Sequence, residues 1–160
     1  VDSDLSIPDD VLEAATSDIP LTLPGGQKFG KAIEPVILMG SAVKQVDSGG
    51  KAKVIVELSF RTADTASPTN IGRSFQKDFW MNAASLKSRD ELARDKGTAL
   101  QLRVLKELFA ALGVPHDGQF LAKLQNITPE LLSGKAINMQ WAVKDASGPK
   151  FNVNGFAPLA

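Results

Sequence analysis

DSGGKAKVIVELSFRT, residues 47–62, sets a double-glycine turn before a run in which Val54, Val56, Leu58 and Phe60 alternate with Lys53, Ile55, Glu57, Ser59 and Arg61. Apolar residues at every second position predict a strand with one buried face. The residues just before the turn, KAIEPVILMGSAVKQVD at 31–47, are apolar and β-branched, with Pro35 near their start and Gly40 as an expected bulge. Two strands joined by Asp47-Ser48-Gly49-Gly50 predict a long hairpin.

Outward from this hairpin, ADTASPTNIG at 63–72 is a loop of turn formers, and GRSFQKDFW at 72–80 opens a third strand that ends near Asn82. Ser88-Arg89-Asp90-Glu91 has the spacing of a capping box, and Thr98–Leu112 repeats apolar residues at helical intervals until Gly113 and Pro115. Thr128-Pro129-Glu130 predicts the start of a short helix ending at Gly134. AINMQWAVKDA and KFNVNGFAPL, joined by Ser147-Gly148-Pro149, predict two final strands, with Trp141 in the core beside Ile137, Met139 and Val143. Three strands, a helix and two strands is the order of a mainly β, five-stranded OB-fold barrel with its helix between strands three and four. An α+β sheet with a packed helix has the same element order.

At 160 residues and 43% apolar content the chain can bury one core, taken here as residues 31–160. Residues 1–30 hold Asp2, Asp4, Asp9, Asp10, Glu13 and Asp18 against Lys28 alone, so the zero net charge divides into an acidic arm and a basic body. The arm reads as loosely ordered or loosely docked up to Pro24-Gly25-Gly26. Absence of cysteine suits a reducing, cytoplasmic address, and no stretch approaches the roughly 20 apolar residues of a membrane span.

Catalytic constellations are hard to assemble. His116, the one histidine, reads as an exposed turn residue, and without cysteine there is no evident zinc or thiol chemistry. The GGKA motif lacks the first glycine and the hydroxyl residue of a phosphate loop, with Gln45 and Ala52 at those positions. Asp90, Glu91 and Asp95, interleaved with Arg89, Arg94 and Lys96, read as a solvated helix with local ion pairs. The expectation is a protein that is not an enzyme and needs no cofactor.

On the third strand Arg73, Phe75, Lys77 and Phe79 share one face, and Ser74, Gln76, Asp78 and Trp80 share the other. Two readings of this alternation stand. Either Phe75 and Phe79 enter the core with Arg73 and Lys77 at its rim, or the face is exposed, with rings to stack on bases and cations to hold phosphates. Burying Lys77 without a carboxylate on its own face is costly, which favours the exposed reading, although a bulge would invert part of the face. The outer side of strand two would add Lys53 and Arg61. In an OB barrel the neighbouring loops would bring Lys44 and Lys51, and Lys144 and Lys150, to the same side. Trp80, at the strand end, belongs with this group as a rim stacking residue.

DFWMN, ALQLRVLKELFAALGV, LLSGKAINMQWAVKD and the ending FNVNGFAPL resemble bacteriophage single-stranded DNA-binding proteins with OB folds and their uncharacterised phage relatives. The resemblance covers about residues 31–160 and rests on fold-setting residues. It implies sequence-independent binding of single-stranded DNA in phage replication, recombination or repair, in the host cytoplasm. Such proteins commonly end in an acidic tail that recruits partners. Either that tail lies outside this sequence, which stops at Pro158-Leu159-Ala160, or the acidic arm does related work. An adaptor module contacting other phage or replication proteins is the alternative, and a homo-oligomer is compatible with either.

Overall fold

The structure, a computed structural model, describes residues 7–14, 31–63, 74–114, 118–126, 131–132, 134–143 and 151–158. Five strands, β1 (Lys31–Ser48), β2 (Lys51–Thr62), β3 (Ser74–Asn82), β4 (Ala136–Val143) and β5 (Phe151–Pro158), form one antiparallel sheet in the order β3-β2-β1-β4-β5. Among the described residues the helices are α1 (Asp9–Ala14), α2 (Arg89–Arg94), α3 (Lys96–Leu112) and α4 (Phe120–Gln125). The fold is mainly β, and the hydrogen-bonded sheet is open between β3 and β5.

β1 organises the sheet. Its first part, Lys31–Ile37, pairs with β4, and its second, Val36–Ser48, pairs with β2. The register with β2 slips between Leu38 and Gly40, leaving Met39 as an extra residue, the bulge expected at Gly40. The slip moves the inward positions from Val36 and Leu38 to Ser41 and Val43, which are buried or half-buried opposite Thr62, Phe60, Leu58 and Val56. The hairpin to β2 closes through Gly49 and Gly50, at φ of 62° and 80°. Both central residues of this two-residue turn need positive φ, which glycine adopts without Cβ strain.

One sheet face is the core. Val54, Val56, Leu58 and Phe60 cluster with Phe79, Met81, Ile137, Met139 and Phe156, and with Leu102, Leu105, Leu108 and Phe109 of α3. α3 packs against β3, β4 and β5, and α4 packs against β1, where the Ser41 hydroxyl donates to the Leu124 carbonyl at 2.5 Å. The phenyl ring of Phe60 stacks on Phe75 at 5.5 Å and on Phe156 at 5.6 Å. Neighbouring strands lie about 4.8 Å apart, so a flat sheet would separate β2 from β5 by roughly three such steps. The rings meet because the sheet curls around its helical side. Glu107 of α3 accepts from the backbone N–H of Phe156 on β5 and pairs with Arg103 at 3.7 Å. Burial pushes the Glu107 carboxyl up, against the Arg103 charge and the Phe156 N–H.

Helix ends follow their expected chemistry. Ser88 accepts from the Glu91 N–H to cap α2, Gly113 ends α3 in the left-handed region at φ 74°, and Glu91 pairs with Arg94 at 3.4 Å. α4 and the short 3-10 turn at Ala84–Leu86 were not anticipated. Thr128-Pro129-Glu130, His116, Pro24-Gly25-Gly26 and the loop at 64–73 lie outside the described residues, as does the Trp141 side chain.

Within the acidic arm, residues 7–14 dock on the body. Ile7, Val11 and Leu12 are buried in the core, and α1 packs against α2. The Ile7 N–H donates to the Gly118 carbonyl at 2.9 Å, and the buried Lys106 ammonium donates to the Leu12 carbonyl at 2.6 Å. Asp9 and Asp10 remain exposed in the first turn of α1, where carboxylates complement the helix dipole. Three apolar residues among the acidic ones are enough to dock this segment.

Candidate functional site

The β2–β3 register settles which face of the third strand looks outward. Val56 is opposite Phe79, Leu58 opposite Lys77 and Phe60 opposite Phe75, whereas Ile55 is opposite Trp80, Glu57 opposite Asp78, Ser59 opposite Gln76 and Arg61 opposite Ser74. Residues opposite one another share a face. Phe79 is therefore fully buried and Phe75 half-buried against Phe60. This corrects the expectation of Phe75 and Phe79 as exposed stacking rings. Lys77, on the same inward side, is only half-buried, because β3 ends the sheet and a long aliphatic stem can carry an ammonium past an edge.

The ring that does face outward is Trp80, 52% exposed. A cross-strand row runs from Trp80 through Ile55 to Lys44. Ile55 is only 7% exposed yet stands apart from the main core cluster, an apolar floor between the indole and the Lys44 stem. Val46 opposite Lys53, and Arg61 opposite Ser74, extend the same face to either side. Glu57 and Asp78 also stand opposite one another there. Lys44 meets Glu57 at 3.1 Å, and the Gln76 amide donates to Asp78 at 2.9 Å. An exposed pair of this kind is worth at most about 1 kcal/mol, so a polyanion could displace it.

Lys53 has a more elaborate setting. Its ammonium donates to the Asn82 side-chain carbonyl, and the Asn82 amide donates to Asp95 at 2.6 Å. Asp95, the N-cap of α3, also accepts from the Thr98 N–H at 3.1 Å, the Thr98 hydroxyl at 2.6 Å and the Ser85 hydroxyl at 2.8 Å. Burial works against the charged form of Asp95. The hydrogen bonds from the Thr98 side chain, Asn82, the Thr98 N–H and Ser85 outweigh it and hold the carboxyl well below the usual carboxylate range. Asp95 is thus no part of a solvated ion-pair helix. The residue pattern gave little warning, since Asp-x-x-Thr before a helix is a common cap and Asn82 is remote from it in sequence.

The structure brings Lys44, Lys53, Arg61 and Trp80 onto one sheet face, with exposed Lys51 beside the hairpin turn at its end. Arg73, Lys144 and Lys150 lie outside the described residues. Among the described residues no group of three or more His, Asp or Glu side chains could hold a metal ion, and no helix is long and apolar enough to cross a membrane. No family model, curated protein or solved structure matches the chain.

Proposed function

We propose that the chain is an OB-like, non-enzymatic protein that binds single-stranded DNA without sequence preference, in phage replication, recombination or repair. Support for the OB reading comes from β1 pairing with both β2 and β4, and from the order β3-β2-β1-β4-β5, which is that of an OB barrel opened between its third and fifth strands. The Phe75–Phe60–Phe156 stack draws the flanks of that opening together.

One observation carries the functional reading: exposed Trp80 and Lys44 share the outward sheet face with half-buried Lys53 and Arg61. In OB folds this face and the loop between strands one and two bind oligonucleotides. An indole offers a flat surface to any base, while ammonium and guanidinium groups meet the phosphates. On this reading Trp80, rather than Phe75 or Phe79, supplies the stacking ring. Titration of the intact protein with oligonucleotides of several sequences tests this. Binding should be sequence-tolerant and should weaken as salt rises. No association at low salt contradicts it.

A second reading is favoured by the apolar members of the same face, Val46 and Trp80, and by its carboxylates Glu57 and Asp78. On that reading the module docks a replication or recombination protein. It would show little DNA affinity and a protein footprint over Trp80.

A further inference from the structure

We infer that Asn82 and Asp95 form a positioning device that fixes the Lys53 ammonium at the outer sheet face as a preorganised phosphate contact. The inference rests on the nucleic-acid reading of that face and names residues that no base or phosphate need touch.

The geometry runs from the core outward. Asp95 sits between α2 and α3, and four donors converge on its carboxylate. One of them, the Asn82 amide, is aimed by a second bond in the same place: the Asn82 backbone N–H donates to the Thr98 hydroxyl at 3.0 Å. A carboxylate accepts only, so Asn82 must turn its NH2 group inward and its carbonyl oxygen outward. That oxygen receives the Lys53 ammonium from the adjacent strand, where Lys53 and Asn82 are register partners. An amide oxygen takes one of the three ammonium donors and leaves the lysine charge unneutralised. A carboxylate in its place would neutralise that charge. Asn82 therefore holds the cation while leaving it electrostatically available. Lys44, by contrast, is paired directly with Glu57.

A flexible lysine loses rotamer freedom when it docks a phosphate, and a lysine already held in place loses less. The expected consequence separates holding the charge from possessing it. Lys53→Ala removes one phosphate contact and should flatten the slope of log K against log salt by about 0.7 for a single strand. Asn82→Ala keeps the charge but frees it, and should weaken oligonucleotide binding by about 2- to 10-fold with the salt slope unchanged. Ser85→Ala removes another Asp95 donor without touching Lys53. It serves as the control for destabilisation and should leave affinity intact.

The experiment measures affinity for an oligo(dT) strand over a salt series with the full chain and these three variants. Should Asn82→Ala fail to fold, Asn82→Thr retains a hydroxyl for Asp95 and lacks the second polar arm that reaches Lys53. An affinity loss in the Asn82 variant at unchanged slope, absent from the Ser85 variant, supports the device. Unchanged affinity in the Asn82 variant while Lys53→Ala flattens the slope overturns it and leaves the functional reading standing, as does equal weakening by the Asn82 and Ser85 variants. No binding by the parent protein removes both.

Discussion

Phe60 on β2 and Phe156 on β5 stack with ring centroids 5.6 Å apart, although β1 and β4 lie between their strands in the sheet. The contact measures how far the sheet curls, and it joins the two halves that β1 shares. Both rings are fully buried. Truncating either to alanine should cost about 3–5 kcal/mol in urea unfolding. Phe75→Ala should cost less, because that ring is only half-buried. A double-mutant cycle between Phe60 and Phe156 should return a coupling of about 0.5–1.5 kcal/mol. Additive effects would mean that the rings do not depend on one another.

Gly118 meets the docked N-terminal segment at close range: a Cβ on it would stand 2.6 Å from the Ile7 carbonyl oxygen. Gly118→Ala should displace residues 7–14 and cost about 1–3 kcal/mol. Faster amide exchange concentrated at Ile7, Val11 and Leu12 checks this. Unchanged exchange there would show that residue 118 yields instead.

Two carboxyls tie acid stability to opposite signs. The Asp95 carboxyl lies below its ordinary value of 3.8, so its contribution is complete above that pH and is lost as pH falls toward the folded value. The Glu107 carboxyl lies above its ordinary 4.5, so its protonation favours the fold, and that advantage fades as pH rises through the folded value. Urea midpoints between about pH 2 and pH 7 should show a flatter acid limb for Asp95→Ala than for the parent protein. Loss of the α3 cap should lower stability at neutral pH by about 0.5–2 kcal/mol. An unchanged acid limb would remove Asp95 as its source.

Much of the architecture could be read from local chemistry. Gly49-Gly50 marked the hairpin and Gly113 a helix end, because those positions take positive φ, which glycine meets; Gly40 marked the bulge and Ser88 a helix start through local breaking and capping chemistry. Which way Phe75 and Phe79 face was not legible. That depends on the register of β3 against β2, and Lys77 on the apolar side disguised it. The alternation Val54, Val56, Leu58, Phe60 already defined a core face, but nothing local says which residues of the next strand stand opposite. Ile7, Val11 and Leu12 were hidden for a related reason. Acidic neighbours dominate the composition there, while docking needs only a short apolar stripe and a glycine at the far side.

Trp80 is the residue on which the functional account turns, and its affinity contribution is directly measurable. Oligo(dT) binding by Trp80→Ala, with the fold verified by an unchanged unfolding transition, should be weaker by roughly 1–3 kcal/mol, the worth of one stacked base. Equal affinity in the variant and the parent protein would contradict the assignment of this sheet face as the surface that holds single strands.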